Sequence, residues 1–113
     1  MEKFCLKWND FQTNVTNSFI RLKDEKDFFD VTLVTEDNQF VSAHKVVLAA
    51  SSELFKKILK KADHSKPMIY LNGVEFKELS WIIDYIYEGE TSIFQEDLKS
   101  FLGIAKKLKI EAL

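Results

Sequence analysis

The sequence predicts an α+β domain with a small sheet and mostly helical bulk, and three observations carry that prediction. Phe29, Val31 and Leu33 alternate with Asp30, Thr32 and Val34, the period of a strand. Leu79, Ile82, Ile83, Ile86 and Tyr87 stand at i, i+3, i+4, i+7 and i+8, the period of a helix face. Turn residues at Asp37-Asn38 and Asn72-Gly73 separate runs of these kinds, and no repeat, linker or low-complexity tract interrupts them.

Taken in order, Phe4, Leu6 and Trp8 alternate with Cys5 and Lys7, so residues 4–8 read as a short strand. Asn9 and Asp10 offer an N-cap to a first helix whose apolar face is Phe11, Val15, Phe19 and Leu22. The charged run "KDEKD", Lys23 to Asp27, ends that helix in solvent. "FFDVTLVTEDNQFVSA" reads as two strands around a turn at Asp37-Asn38, residue types that tolerate the positive φ of tight hairpins. From Lys45 the period changes, and Val47, Leu48, Leu54, Phe55, Ile58 and Leu59 line one long helix. Its first half is apolar on nearly all sides and is therefore central. Beyond the polar link "KADHSKP", Met68 to Leu71 form a short buried-type strand closed by Asn72-Gly73. The helix that carries Tyr87 stops at Gly89, and Thr91 to Phe94 make one more short strand. Leu98, Phe101, Leu102, Ala105 and Leu108 define the last helix, with Lys106, Lys107 and Lys109 in its final turn, where the helix dipole favours cations.

A chain of 113 residues is one domain by length, and folding buries roughly two thirds of its unfolded surface, enough for a core without staples. Ten phenylalanines are about twice the usual share, and three of them, Phe4, Phe11 and Phe19, lie in the first nineteen residues, which argues against a free N-terminal tail. The single cysteine, Cys5, has no internal disulfide partner, and no apolar run is long enough for a signal peptide or a membrane span. The expected compartment is reducing, cytosol or nucleus. A net charge of −2 with both signs interspersed gives no overall field that favours nucleic acid or an anionic membrane.

Chemistry is hard to assemble from these residues. Two histidines, His44 and His64, and one cysteine do not make a zinc set of three or four nitrogen and sulfur ligands, and no acidic loop has calcium spacing. Ser51 and Ser52 are near His44 but stand in no nucleophile elbow, and hydroxyls in a crowded helix bond the carbonyl one turn back. All three glycines are isolated, so no phosphate-binding loop exists. His44 therefore reads as a half-buried imidazole satisfied by backbone groups at a strand-to-helix junction. Lys56, Lys57, Lys60 and Lys61 form two i, i+4 pairs on an outer helix face, flanked by Glu53 and Asp63 and without interleaved aromatics, the pattern of solvated lysines. Asp30 is the unusual charge, because it stands inside an apolar strand. Either its face is open to water or a cation meets it, and Lys45 is the nearest candidate.

Three stretches, "FFDVTLVTEDNQFVSAHKVVLAASSELFKKIL", "IYLNGVEFKELSWIIDYIYEGE" and "LKSFLGIAKKLKIEAL", resemble the BTB/POZ domain in the right order over nearly the whole chain. The recurring elements are Asp30-Val31, Ala43-His44-Lys45, Val47-Leu48-Ala49 and Tyr85-Ile86-Tyr87-x-Gly89, which mark His44, Tyr87 and Gly89 as structural. The opening "FCLKWNDFQTNV" is similar to the tramtrack-type subgroup of arthropod transcription regulators. The resemblance implies a mainly three-stranded sheet with about five to six helices, and an N-terminal strand exchanged between subunits. Residues 1–113 would then be a single domain, the N-terminal part of a longer nuclear protein whose DNA-binding region follows.

It further implies a homodimer. Phe4, Cys5, Leu6, Lys7 and Trp8 would contribute to the interface, with Phe4 to Lys7 pairing with Thr91, Ser92, Ile93 and Phe94 of a partner copy. Phe11, Val15, Phe19 and Leu22 would pack about the two-fold axis, and Asp30 and Lys45 would match the family's charged pair near the dimer groove. The subgroup is similar in forming assemblies larger than dimers, a hexamer among them. Related BTB domains and corepressor or chromatin proteins are the other partners implied; direct nucleic-acid contact, membrane, cofactor and metal are not. The other function found on this fold is a substrate adaptor for a cullin-type ubiquitin ligase, which generally needs further helices after the domain. Ala50-Ser51-Ser52-Glu53-Leu54 departs from the Cys-Ser-Pro-Tyr type run of relatives, which bears on partner contacts there and not on the fold.

Overall fold

The period-two stretch folds as the expected hairpin. In the computed structural model, which describes residues 1–111, β1 (Val31–Val34) pairs antiparallel with β2 (Phe40–Ala43), with Val31 opposite Ala43 and Val34 opposite Phe40. Asn38 turns the chain at φ 62°. β3 (Met68–Tyr70) adds parallel to the other side of β1, giving the order β2-β1-β3. A parallel neighbour needs a crossover, and α2 (Lys45–Ser51) and α3 (Glu53–Lys61) supply it. Ala112 and Leu113, the last two residues of the expected domain, lie outside the described residues.

The remaining helices are α1 (Phe11–Leu22), α4 (Phe76–Glu88) and α5 (Leu98–Lys107), with single 3-10 turns at Lys26–Phe28 and Gln95–Asp97. Gly89 ends α4 in the left-handed region at φ 82°, where a Cβ would strain the backbone. The core lies between the inner sheet face and α2 to α5, with Leu33, Leu48, Phe55, Val74, Leu79 and Ile82 all but removed from solvent.

Several expectations are corrected. The long helix from Lys45 is two helices, because Ser52 takes an extended backbone at φ −146°. Its hydroxyl accepts from Phe55 N–H, capping α3, and donates to the Leu108 carbonyl at 2.5 Å. A β-bridge joins Ser52 to Ile110, so the break is held by the C-terminal stretch. Ser51, still helical, bonds the Val47 carbonyl one turn back. Asp10 occupies the cap position of α1 at φ 60°, but its side chain makes no capping bond.

Lys23 does not sit in solvent. Its ammonium donates to Glu88 and Asp84 on α4, at 2.6 and 2.9 Å. The bond to Glu88 above all, then that to Asp84, raises it above the usual lysine range. These contacts tie the C-terminal end of α1 to α4.

Residues 4–8 and 91–94 form no strand. A strand is completed by hydrogen bonds to a neighbour, and among the described residues neither segment meets one within the chain. The N-terminal segment runs outward, and the radius of gyration of 16.3 Å exceeds the value of about 13 Å for a compact chain of this length.

Candidate protein-interaction surface

The first helix carries the apolar face its sequence requires, and the chain does not cover it. α1 packs against α4 but has no buried residue: Phe11 and Phe19 are exposed, and Val15 and Leu22 only partly covered. Ahead of it Phe4 is 82% and Leu6 92% exposed, with Cys5, Lys7 and Trp8 also in solvent. Trp8 makes one local contact, edge-on to Phe11 at 5.2 Å. In the segment 91–94, Thr91 and Ile93 are half-buried, while Ser92 and Phe94 are exposed. An exposed apolar set this continuous is the mark of a protein contact.

Behind α1 a mainly apolar cavity of about 320 Å³ opens, lined by Phe19, Leu22, Phe28, Asp30, His44, Val46 and Val47. Its floor is the junction where β2 runs into α2. The Asp30 carboxylate accepts the Lys45 backbone N–H at 2.7 Å, while the Asp30 N–H bonds the Ala43 carbonyl. Asp30 therefore caps α2 from a distance, and its negative charge suits a helix N-terminus. The Lys45 ammonium turns the other way and donates to the Ser65 carbonyl at 2.7 Å. The expected charged pair is thus a carboxylate meeting a backbone amide, and among the described residues no ion pair joins Asp30 to Lys45. A short side-chain path from Asp30 is already spent on the amide, which leaves the long lysine free to reach a carbonyl on the surface.

His44 occupies the cap position of α2 without capping it, because its ring is committed elsewhere. The Tyr87 hydroxyl accepts the His44 backbone N–H at 3.0 Å and lies 2.6 Å from Nδ1. That hydroxyl has one proton to donate and a second lone pair to accept with, so the direction of its bond to Nδ1 is set by the imidazole tautomer. Burial lowers the His44 pKa against the opposing pull of the Asp30 charge, and burial pushes the Tyr87 hydroxyl up to about 12. Nε2 is buried and has no hydrogen-bond partner among the described residues. Nδ1 of the imidazole is met by a side chain from α4 and not by the backbone groups expected. Tilted rings of Phe29 and Tyr87 flank it.

The structure thus brings Phe19, Leu22, Asp30 and His44 to one cavity and Tyr87 beneath it, and leaves residues 4–8 and 91–94 without mutual pairing. Sequence reasoning missed Ser52 as a cap. Ser52-Glu53, a capping residue followed by an acid at the first helical position, was the available signal. Among the described residues no group of three or more histidine, cysteine or acidic side chains is placed to hold a metal, and no helix is long and apolar enough to cross a membrane.

Comparison with known proteins agrees with the sequence pattern. A family model described as the BTB/POZ domain matches residues 19–113. The Longitudinals lacking protein-like of Drosophila melanogaster is 46% identical over 99% of this chain and 87% of its own length. Protein tramtrack, alpha isoform, of the same organism is 37% identical over 99% of this chain, which spans 14% of that protein. The BTB domain of human gigaxonin superimposes with a TM-score of 0.78 at 19% identity, over 96% of this chain and 88% of that one, and shows the same fold. The family match begins at Phe19, whereas the Drosophila alignments cover nearly all of the chain, so the N-terminal stretch belongs to what those relatives share beyond the general domain.

Proposed function

The chain belongs to the BTB/POZ domain family of protein-interaction modules, and from that premise we propose that it is the homodimerisation module of a nuclear, DNA-binding regulator. One observation carries the reading: α1 displays Phe11, Val15, Phe19 and Leu22 yet buries none of them. A second copy related by a two-fold axis supplies the missing cover in an isologous contact. Phe4 to Lys7, whose backbone groups meet no strand among the described residues, add as a strand to the segment Thr91 to Phe94 of the partner, joined in the interface by Trp8. The cavity rimmed by Phe19 and Leu22, with Asp30 and His44 at its base, lies beside this contact.

An obligate interface of this kind buries on the order of 2,000 Å² and leaves little folded monomer. DNA-binding regions attached to the two copies are then held at high effective concentration, which raises avidity without any contact from this domain to nucleic acid. The same surfaces suit related BTB domains, and corepressor or chromatin proteins are partners of the assembled form. Catalysis and cofactors have no part in this function.

Light scattering at about 10 µM tests it. The expected result is a mass of two chains or more, with monomer appearing only for a Phe11→Asp, Phe19→Asp variant, alongside any loss of helical signal. A wild-type chain that is monomeric and folded at that concentration sinks the proposal.

A further inference from the structure

Charge is mixed along this chain except between Lys56 and Lys66. Those eleven residues hold five lysines and one aspartate, a charge of +4 in a chain whose net is −2, so the remainder carries −6. Lys56, Lys57, Lys60 and Lys61 are exposed along α3, Lys66 is exposed in the loop beyond it, and among the described residues none of the five is in an ion pair. The loop is held in place, since the Lys45 ammonium donates to the Ser65 carbonyl at 2.7 Å and His64 Nδ1 accepts the Lys66 N–H at 3.0 Å. With Nδ1 accepting, the neutral imidazole carries its proton on Nε2, which adds an exposed donor beside the lysines.

A cleft runs along the same helix. Its volume is about 260 Å³, its lining is mainly apolar, and Leu54, Ile58, Ile69, Leu71 and Leu108 are among its walls. Lys57 and Lys61 stand at i+3 from Leu54 and Ile58, the neighbouring positions on the helix surface, so they border it from α3. Lys107 lines it from the end of α5, and its ammonium donates to the Asn72 carbonyl, a neutral partner that leaves the charge unanswered. An apolar cleft therefore lies between cationic borders.

Size and charge together select the occupant. The volume is below that of a site for a drug-sized ligand, so it suits one or two large side chains of a segment lying across it. An extended polyanion such as duplex DNA also meets the acidic remainder of the molecule, whereas a short segment meets the lysines alone. We propose that the cleft between α3 and the end of α5 is a docking site for an acidic peptide segment of another protein, which seats apolar side chains in the cleft and sets carboxylates on Lys57, Lys61 and Lys107. Lys56, Lys60 and Lys66 do not line the cleft and act through their field, which speeds encounter. The site shares no residue with the α1 surface and does not rest on the dimer.

Fluorescence anisotropy on the full chain provides the test, with a labelled peptide of about ten residues that alternates acids with leucine and phenylalanine. Micromolar binding is expected at about 50 mM salt, weaker by at least about tenfold at about 300 mM. Lys57→Glu, Lys61→Glu, two exposed changes, should weaken it by at least about tenfold and leave the mass of the assembly unchanged. Lys99→Glu, exposed on α5 and absent from the cleft, should change it by less than about twofold. A peptide with serine in place of leucine and phenylalanine should lose most of the affinity. Equal binding by the serine peptide overturns the proposal, since the cleft then plays no part. Lysine variants that bind like wild type overturn it, and so does the absence of binding up to about 200 µM. A DNA duplex of about 20 base pairs that binds more tightly than the peptide also overturns it, and assigns the lysines to phosphates.

Discussion

The junction around His44 and the stretch from Phe4 through α1 are both rich in aromatic rings, and they dispose of them in opposite ways. At the junction each strong polar group but one is answered within the chain: Asp30 by the Lys45 amide, the His44 amide and Nδ1 by Tyr87, Ser52 by Phe55 and Leu108. The exception is His44 Nε2. In the N-terminal stretch the apolar groups stay open: Phe4, Leu6, Trp8, Phe11 and Phe19 face solvent, and among the described residues 4–8 pair with no strand. Polar satisfaction marks what one chain completes, and apolar exposure without pairing marks what it leaves for a partner. Stability and assembly should therefore respond to different residues.

The strongest way to break that separation is at Tyr87. Tyr87→Phe keeps the ring and removes the hydroxyl, leaving the His44 N–H and Nδ1 buried and unpaired, at a cost of about 2 to 4 kcal/mol. Urea unfolding at fixed protein concentration should show the loss, with the mass of the folded assembly unchanged. A midpoint equal to wild type would mean that water answers both groups.

Titration sharpens the same contrast. Burial lowers the His44 pKa below its ordinary 6.5, so below that value the unfolded chain takes up a proton that the folded chain resists, and stability falls as pH falls through the window. Tyr87 is raised from 10.0 to about 12, so between those values the unfolded chain loses a proton first, and stability falls as pH rises. Thermal unfolding should be most resistant between about 6.5 and 10, and Tyr87→Phe should remove the alkaline decline. A decline of equal size in that variant would place the alkaline loss elsewhere.

The smallest effects distinguish a cap from an ion pair. Asp30→Ala should cost about 0.5 to 2 kcal/mol through the lost cap, Asp30→Asn about 0.5, and Lys45→Met less than that, because the ammonium contacts only the Ser65 carbonyl. Equal losses for Asp30→Ala and Lys45→Met in urea unfolding would restore a charge pair as the important contact.

Much of this was legible in the residues. The hairpin, with its turn at Asn38, followed from alternation, and α4 with its stop at Gly89 followed from a 3.6-residue period and a glycine. The break at Ser52 was hidden because apolar spacing continues through it, and only the Leu108 carbonyl and Ile110, over fifty residues away in sequence, hold the extended backbone there. Lys23 looked solvated for the same reason, since its partners Asp84 and Glu88 lie 61 and 65 residues away, on a helix whose approach to Lys23 no local pattern reveals. Residues 4–8 and 91–94 read as strands from the sequence, but a strand is a property of two segments, and among the described residues neither meets a partner within the chain.

The sequence by itself determined the hairpin, most of the helices and which faces are apolar, because periodicity and residue chemistry are local. Tertiary structure alone decided which apolar faces are closed and which stay open, that His44 answers Tyr87, and that Asp30 meets an amide in place of a lysine side chain. Those outcomes depend on distances between segments remote in sequence, and a hydrogen bond or a packed ring exists only where such segments arrive within a few ångströms of one another.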